Sequence, residues 1–257
     1  MSHGQFGFFD LEQQLEKIYQ LDDFFPKLNS LIDWEIFRSP LNKVREKEHA
    51  GPGGRPPYDV VLMFKILVVK SMYNLADEKT EKQIRDSIST RVFLGLTHLS
   101  DPVPDAKTIW LFAEQLKNLG LERPLFDRFN KLLDSSGFKV KSGYIVDGSF
   151  VEVPKQRNTK AENEQIKNGE IPETLSKNSN VLSQKDCDAR WAKKGDETHF
   201  GYKNHAAVDE EYKFVREYEV TDASVHDSAR IQEKGARIKN SYLLSPISYL
   251  LSPISFV

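Results

Sequence analysis

A single cysteine, Cys187, occurs in the 257-residue chain. This excludes an internal disulfide and any metal site built from several thiolates. Apolar runs are also short. Nothing approaches the roughly 18 consecutive apolar residues of a membrane span, so no transmembrane helix is predicted. The opening residues, MSHGQFGFFDLEQQ, lack a basic region followed by an apolar stretch. No secretory signal is predicted, and cytoplasmic residence without a membrane partner is the expectation. Excess charge of either sign is missing too: 36 basic and 38 acidic residues leave a net −2. That balance argues mildly against a nucleic-acid binder, although binding depends on local charge rather than on the sum. What remains, 39% hydrophobic and 29% charged residues, is ordinary for a soluble globular protein.

The first half of the sequence reads as helix. Leu11, Leu15, Ile18 and Leu21 form a short apolar stripe, and Asp33 is placed to start a helix at Trp34. The Gly/Pro-rich segment 51–59 marks a loop. Asp59 can then cap an apolar helix over 60–75, VVLMFKILVVKSMYNL. Its β-branched content also allows a strand, but its length favours helix. Further helices are predicted over 79–89, with Asp77 as a cap, over 108–118, and over 124–133. Residues 1–135 are therefore expected to be an all-helical domain. Short helices joined by short turns suit either a DNA-reading module or a plain scaffold.

At Gly137 the pattern changes. Residues 144–153, YIVDGSFVEV, alternate as a strand does. Residues 155–184 are polar and nearly devoid of large apolar side chains, and are expected to be a mobile insertion. Strands are predicted over 199–209 and 212–221, close enough to form an antiparallel hairpin, with an exposed helix over 224–238. Residues 241–254 then repeat SYLLSPI twice without a change. The heptanucleotide TCCTATC, read through three frames, encodes that unit. The tail 241–257 is thus read as translated tandem-repeat DNA, the alternative being a true apolar strand. The organisation expected is 1–135, 136–240 and 241–257.

The order strand, strand, strand, helix is how an RNase H-like domain begins. Asp147 stands at the centre of the first strand, where an unpaired acid costs free energy and a metal ion would offset that cost. A turn aspartate in an Asp-Gly pair is the bland alternative. Asp222 is a weaker second acid, because it follows the third strand. Arg190, Lys193, Lys194, Lys203 and His205 could hold DNA phosphates. Residues 185–205 carry only one more basic than acidic side chain, so a solvated strand edge is an equal alternative.

Several segments together resemble the insertion-sequence transposases of the IS-five group, of the DDE type. The resemblance rests on residues 54–96 (GRPPYDVVLMF to RVFLGL), 104–116 (PDAKTIWLFAEQL), 144–154 (YIVDGSFVEVP), 194–209 (KGDETHFGYKNHAAVD) and 214–228 (FVREYEVTDASVHDS). It implies an α+β chain: a helical N-terminal domain, then an RNase H-like domain with a mixed sheet. It implies phosphoryl transfer on DNA at terminal inverted repeats, with Mg²⁺ held by three carboxylates. Asp147 matches the first of these. The family's later aspartate and glutamate find no match, so the domain is expected to be incomplete and the chain catalytically dead. The expected partners are inverted-repeat DNA, further copies of the chain, or a full-length transposase that it would inhibit. Association with the nucleoid would accompany DNA binding.

Overall fold

Aromatic side chains tie the first elements of the chain together. Phe25, on helix α1 (Phe24–Leu31), stacks on Phe93 with ring centroids 4.7 Å apart. Asp33 accepts a hydrogen bond from the Glu35 amide at 3.0 Å and starts a 3-10 turn, Trp34–Phe37. Trp34 meets Phe93 edge-on at 5.5 Å and Phe64 at 6.3 Å. A one-turn helix, α2 (Arg38–Leu41), follows. The structure, a computed structural model, describes residues 24–46, 56–98, 100–140, 143–153, 159–168, 170, 172–173 and 186–225. The stripe at 11–21, most of the helix expected over 224–238, and the repeat tail lie outside the described residues.

The apolar run after Asp59 is a helix, α3 (Val60–Met72), with eight buried side chains. The Asp59 carboxylate accepts from the Val61 and Leu62 amides at 2.9 and 3.1 Å. It satisfies two of the amides that a helix start leaves without partners, which resolves the choice between helix and strand. Next come α4 (Asp77–Asp86) and α5 (Ile88–Leu94). Asp77 does not cap α4. The cap position is Ala76, and Asp77 instead pairs with Lys70 at 2.5 Å. The helix expected over 79–89 breaks at Ser87, whose backbone is extended and whose hydroxyl caps α5 through the Thr90 amide. Gly95, at φ 79°, ends α5 in the left-handed conformation that glycine adopts without penalty. Helix α6 (Ala106–Asn118), capped by Asp105, packs on α3 and α4 through Ile109, Phe112 and Leu116. Helix α7 (Glu122–Ser135) buries Leu125, Phe126 and Leu133.

The chain falls into two compact units, the first running to Gly137 and the second beginning at Phe138. The second is built on a four-stranded sheet. Strand β1 (Tyr144–Glu152) precedes a short helix, α8 (Lys160–Lys167). Then come β2 (Arg190–Lys194), β3 (Glu197–Asp209) and β4 (Val215–Asp222). Long β3 is the axis: β1 lies along one edge, and β4 and β2 follow one another along the other. Every pairing among the described strands is antiparallel.

Two features depart from the sequence reading. Strand β2 was not foreseen, and it forms a tight hairpin with β3 around Gly195. Helix α8 occupies part of the stretch expected to be mobile. Thr159 and Glu162 cap it reciprocally, an arrangement that needs no apolar core.

The β1–β3 contact depends on one glycine. Gly201 has φ +152°, and a Cβ there would lie 2.2 Å from the Val151 carbonyl oxygen. Its neighbours Phe200 and Tyr202 form a small core with Ala189 and Val220, against which Val151, Val153 and Trp191 pack. At the far end of β3, the buried Asp209 accepts from the Glu211 and Tyr212 amides at 2.8 and 2.9 Å. Its second oxygen lies 3.8 Å from Arg216 Nε. Arg216 also donates to the Phe138 carbonyl, fixing the hairpin to the first residue of the unit.

Candidate functional site

Asp147 occupies the middle of β1, with its backbone opposite Ala206 of β3, and Gly148 follows it opposite His205. Asp222 ends β4 opposite Tyr202. The two aspartates are thus two strands and four residues apart. With ordinary strand spacings their backbones stand about 16 Å from each other. A pair of ions about 4 Å apart cannot be shared across that gap. Asp222 also has local work. One of its oxygens accepts from the Ser224 amide at 2.9 Å and from the Ser224 hydroxyl, which closes the turn after β4. Among the described residues no group of three His, Cys, Asp or Glu side chains could hold a metal ion.

Alternation along β3 puts Lys203 and His205 on one face, and register adds Phe150 from β1 and Glu219 and Thr221 from β4. This face is covered. Lys203 is only 7% exposed, His205 5% and Glu219 6%. The Lys203 ammonium donates to the Val225 carbonyl at 2.7 Å and lies 4.9 Å from the centre of the Phe150 ring. His205 Nε2 lies 3.0 Å from Thr221 Oγ1, which itself donates to the Asp222 carbonyl at 3.1 Å. With the hydroxyl proton spent there, Nε2 is the donor to Thr221. Burial leaves little of either side chain open to solvent: Lys203 ties the sheet to the segment leaving β4, and His205 joins β3 to β4.

The three other basic candidates sit on β2. Arg190 turns back on its own chain, donating to the Cys187 carbonyl at 2.7 Å and the Ala189 carbonyl at 3.0 Å. Lys193 and Lys194 are exposed at the hairpin end. The open basic surface of this hairpin is therefore narrower than the sequence suggested.

Some polar groups escaped the sequence reading. Glu219 faces His205 directly across the β3–β4 pair. Asp186 accepts on one oxygen from the Tyr202 hydroxyl at 2.7 Å and from the Asp188 and Ala189 amides at 2.9 and 3.0 Å. Burial, reinforced by that hydrogen bond to Asp186, pushes the Tyr202 hydroxyl well above its ordinary range. His199 stacks on Phe150 at 4.3 Å and meets Glu152 at 3.1 Å. Apart from the local turn that Asp186 makes with the Asp188 and Ala189 amides, these partners are far apart in sequence and only the folded sheet brings them together.

Comparison with known proteins adds two family matches. Residues 13–115 match the family described as "Transposase domain (DUF772)". Residues 138–244 match the family described as "Transposase DDE domain", which starts at the first residue of the second compact unit. No solved structure matches the chain. The DDE match carries the expectation of a divalent metal, typically Mg²⁺, whereas the described residues do not assemble a ligand set for one. No described helix is long and apolar enough to cross a membrane. The chain thus matches, in succession, two transposase family models, the second of them a DDE domain.

Proposed function

We propose that this chain binds the terminal inverted repeats of a bacterial insertion sequence of the IS-five group and does not itself cut DNA. The single observation behind this reading is the succession of the two transposase matches, with Asp147 central in the first strand of the second. A first strand with a central aspartate, two antiparallel strands after it and a turn leading out of β4 is consistent with the start of an RNase H-like fold. Asp147 would be the first of three metal-binding carboxylates. Asp222 is not proposed as the second, given the roughly 16 Å between the two backbones in ordinary strand geometry. The only later acidic residues are Asp227 and Glu233. They fall in the segment expected to be an exposed helix and match neither of the family's later carboxylates. With Asp147 as the single match to those carboxylates, residues 1–257 alone would supply one of the ligands that a two-metal site needs.

DNA would meet the exposed Lys193 and Lys194, with Arg190 holding the base of their hairpin. A gel shift of the full chain on inverted-repeat DNA tests this at two salt concentrations. Binding that weakens steeply with salt and is reduced in Lys193→Ala/Lys194→Ala supports the reading. Equal affinity for unrelated DNA, or no binding at low salt, contradicts it. A second reading follows from the same matches: the chain occupies transposon ends or pairs with a full-length transposase, and so inhibits it. Reduced transposition when the chain is co-expressed with an active relative separates this role from an inert product.

A further inference from the structure

We infer that the outer face of α6 is a self-association surface, pairing with the same helix of a second copy in antiparallel fashion. Ile109, Phe112 and Leu116 turn inward, and the opposite stripe holds Lys107, Trp110, Leu111 and Glu114 at helical spacing. Trp110 is 51% exposed and Leu111 46%, an adjacent pair of large apolar side chains in open solvent. A solitary exposed apolar residue would call for no explanation. Two together, flanked by opposite charges, form a compact apolar patch with a polar rim.

The charges decide which occupant fits. Lys107 and Glu114 are equally far from the point midway between Trp110 and Leu111. A two-fold axis through that point makes two copies of α6 antiparallel. It gathers Trp110 and Leu111 of both copies, and it sets Lys107 of each copy opposite Glu114 of the other. Every contact then occurs twice, as a two-fold interface requires. Duplex DNA fits less well, because Glu114 at one end of the stripe repels phosphate and the apolar pair at its centre offers phosphate no charge. The contact requires neither DNA nor metal. One helix pair covers less than the roughly 800 Å² per partner of a standard interface. The association is therefore weak, with a dissociation constant in the micromolar range or above.

Sedimentation equilibrium of the full chain, over a wide range of concentration without DNA, tests the pairing. Wild type is expected to move from monomer to dimer. Trp110→Ala/Leu111→Ala should remain monomeric. Lys107→Glu and Glu114→Lys should each raise the dissociation constant roughly tenfold, since each places two like-charge contacts in the dimer. Combining the two charge reversals should restore the wild-type value, which no loss of folding could do. Thermal melting checks that each variant is folded. A wild type that stays monomeric throughout overturns the inference, as does a dimer indifferent to the reversals or a double reversal weaker than either single one. Loss of DNA binding in the Trp110/Leu111 variant, with no self-association in wild type, would reassign the face to DNA and equally overturn it.

Discussion

Replacing Gly201 by alanine is the most informative single change in the second unit. Its φ of +152° lies where an L-residue is strained, and the new methyl would meet the Val151 carbonyl oxygen at 2.2 Å, the Val153 nitrogen at 2.9 Å and the Glu152 Cα at 3.1 Å. All three are backbone atoms of β1 or its exit, so no side chain can swing aside. The unusual backbone conformation costs about 1–3 kcal/mol. Forcing the strands apart costs about another 1–3 kcal/mol. The sum, about 2–6 kcal/mol, is a large share of the roughly 5–15 kcal/mol that holds a domain together. Gly195 supplies the control. It also has positive φ (+61°), but nothing lies within 4 Å of its added Cβ. Gly195→Ala should therefore cost only the left-handed backbone penalty, about 1–2 kcal/mol. Hydrogen exchange of the amides in residues 144–152 reads the difference directly. Every 1.4 kcal/mol lost accelerates exchange about tenfold, so Gly201→Ala should speed it by one to four orders of magnitude. Equal protection of β1 in the two variants would refute the claim that Gly201 permits the strand that carries Asp147.

Three other outcomes follow from the geometry. Asp209→Ala removes the carboxylate beside the buried Arg216 guanidinium and should destabilise the second unit by about 3–5 kcal/mol in urea titration. A loss under 1 kcal/mol would mean that the pair is not buried as described. Burial raises the Asp59 carboxyl pKa, but the Arg38 guanidinium and the Leu62 and Val61 amides outweigh it and hold the group below 3.8. A depressed acid stabilises the fold above its unfolded pKa and loses that contribution as pH falls through the folded value. The wild-type advantage in melting temperature over Asp59→Ala should therefore be full near pH 6 and shrink below about pH 4. Burial lowers the Lys65 ammonium from 10.5 to about 8, between Phe93 at 4.5 Å and Trp34 at 5.5 Å. Between those pKa values the unfolded chain binds the proton more tightly. Raising the pH from 7 to about 10.5 should then stabilise wild type relative to Lys65→Met, and a gap that stays constant would contradict the burial.

Much of this fold was legible from local chemistry. Alternating residues announced β1, and strands were also expected over 199–209 and 212–221, where β3 and β4 lie. Asp59 and Asp105 stand where helix caps are needed, and both accept the amides that follow them. Strand β2 was not legible because Arg-Trp-Ala-Lys-Lys has two apolar residues and three charges; β3 supplies the pairing that makes it a strand. The break between α4 and α5 rests on the backbone of Ser87, which composition does not reveal. For α8 the signal was present: Thr159 three residues before Glu162 is a capping box, hidden in a segment read from its polarity alone. At the candidate site, the sequence could not say what lies over the face that Lys203 shares with His205. Their burial comes from Phe150, Thr221 and Val225, brought there by β1 and the exit of β4. Asp147 stands out in the sequence by its place in the strand. Its distance from Asp222 required the register.

The proposal that the chain binds inverted-repeat DNA without cutting it is tested most directly by strand nicking. The purified full chain is incubated with Mg²⁺ or Mn²⁺ and labelled inverted-repeat DNA, beside Asp147→Ala. The account predicts retarded but uncut DNA for both proteins. Metal-dependent nicking by the wild type that disappears in Asp147→Ala would contradict it.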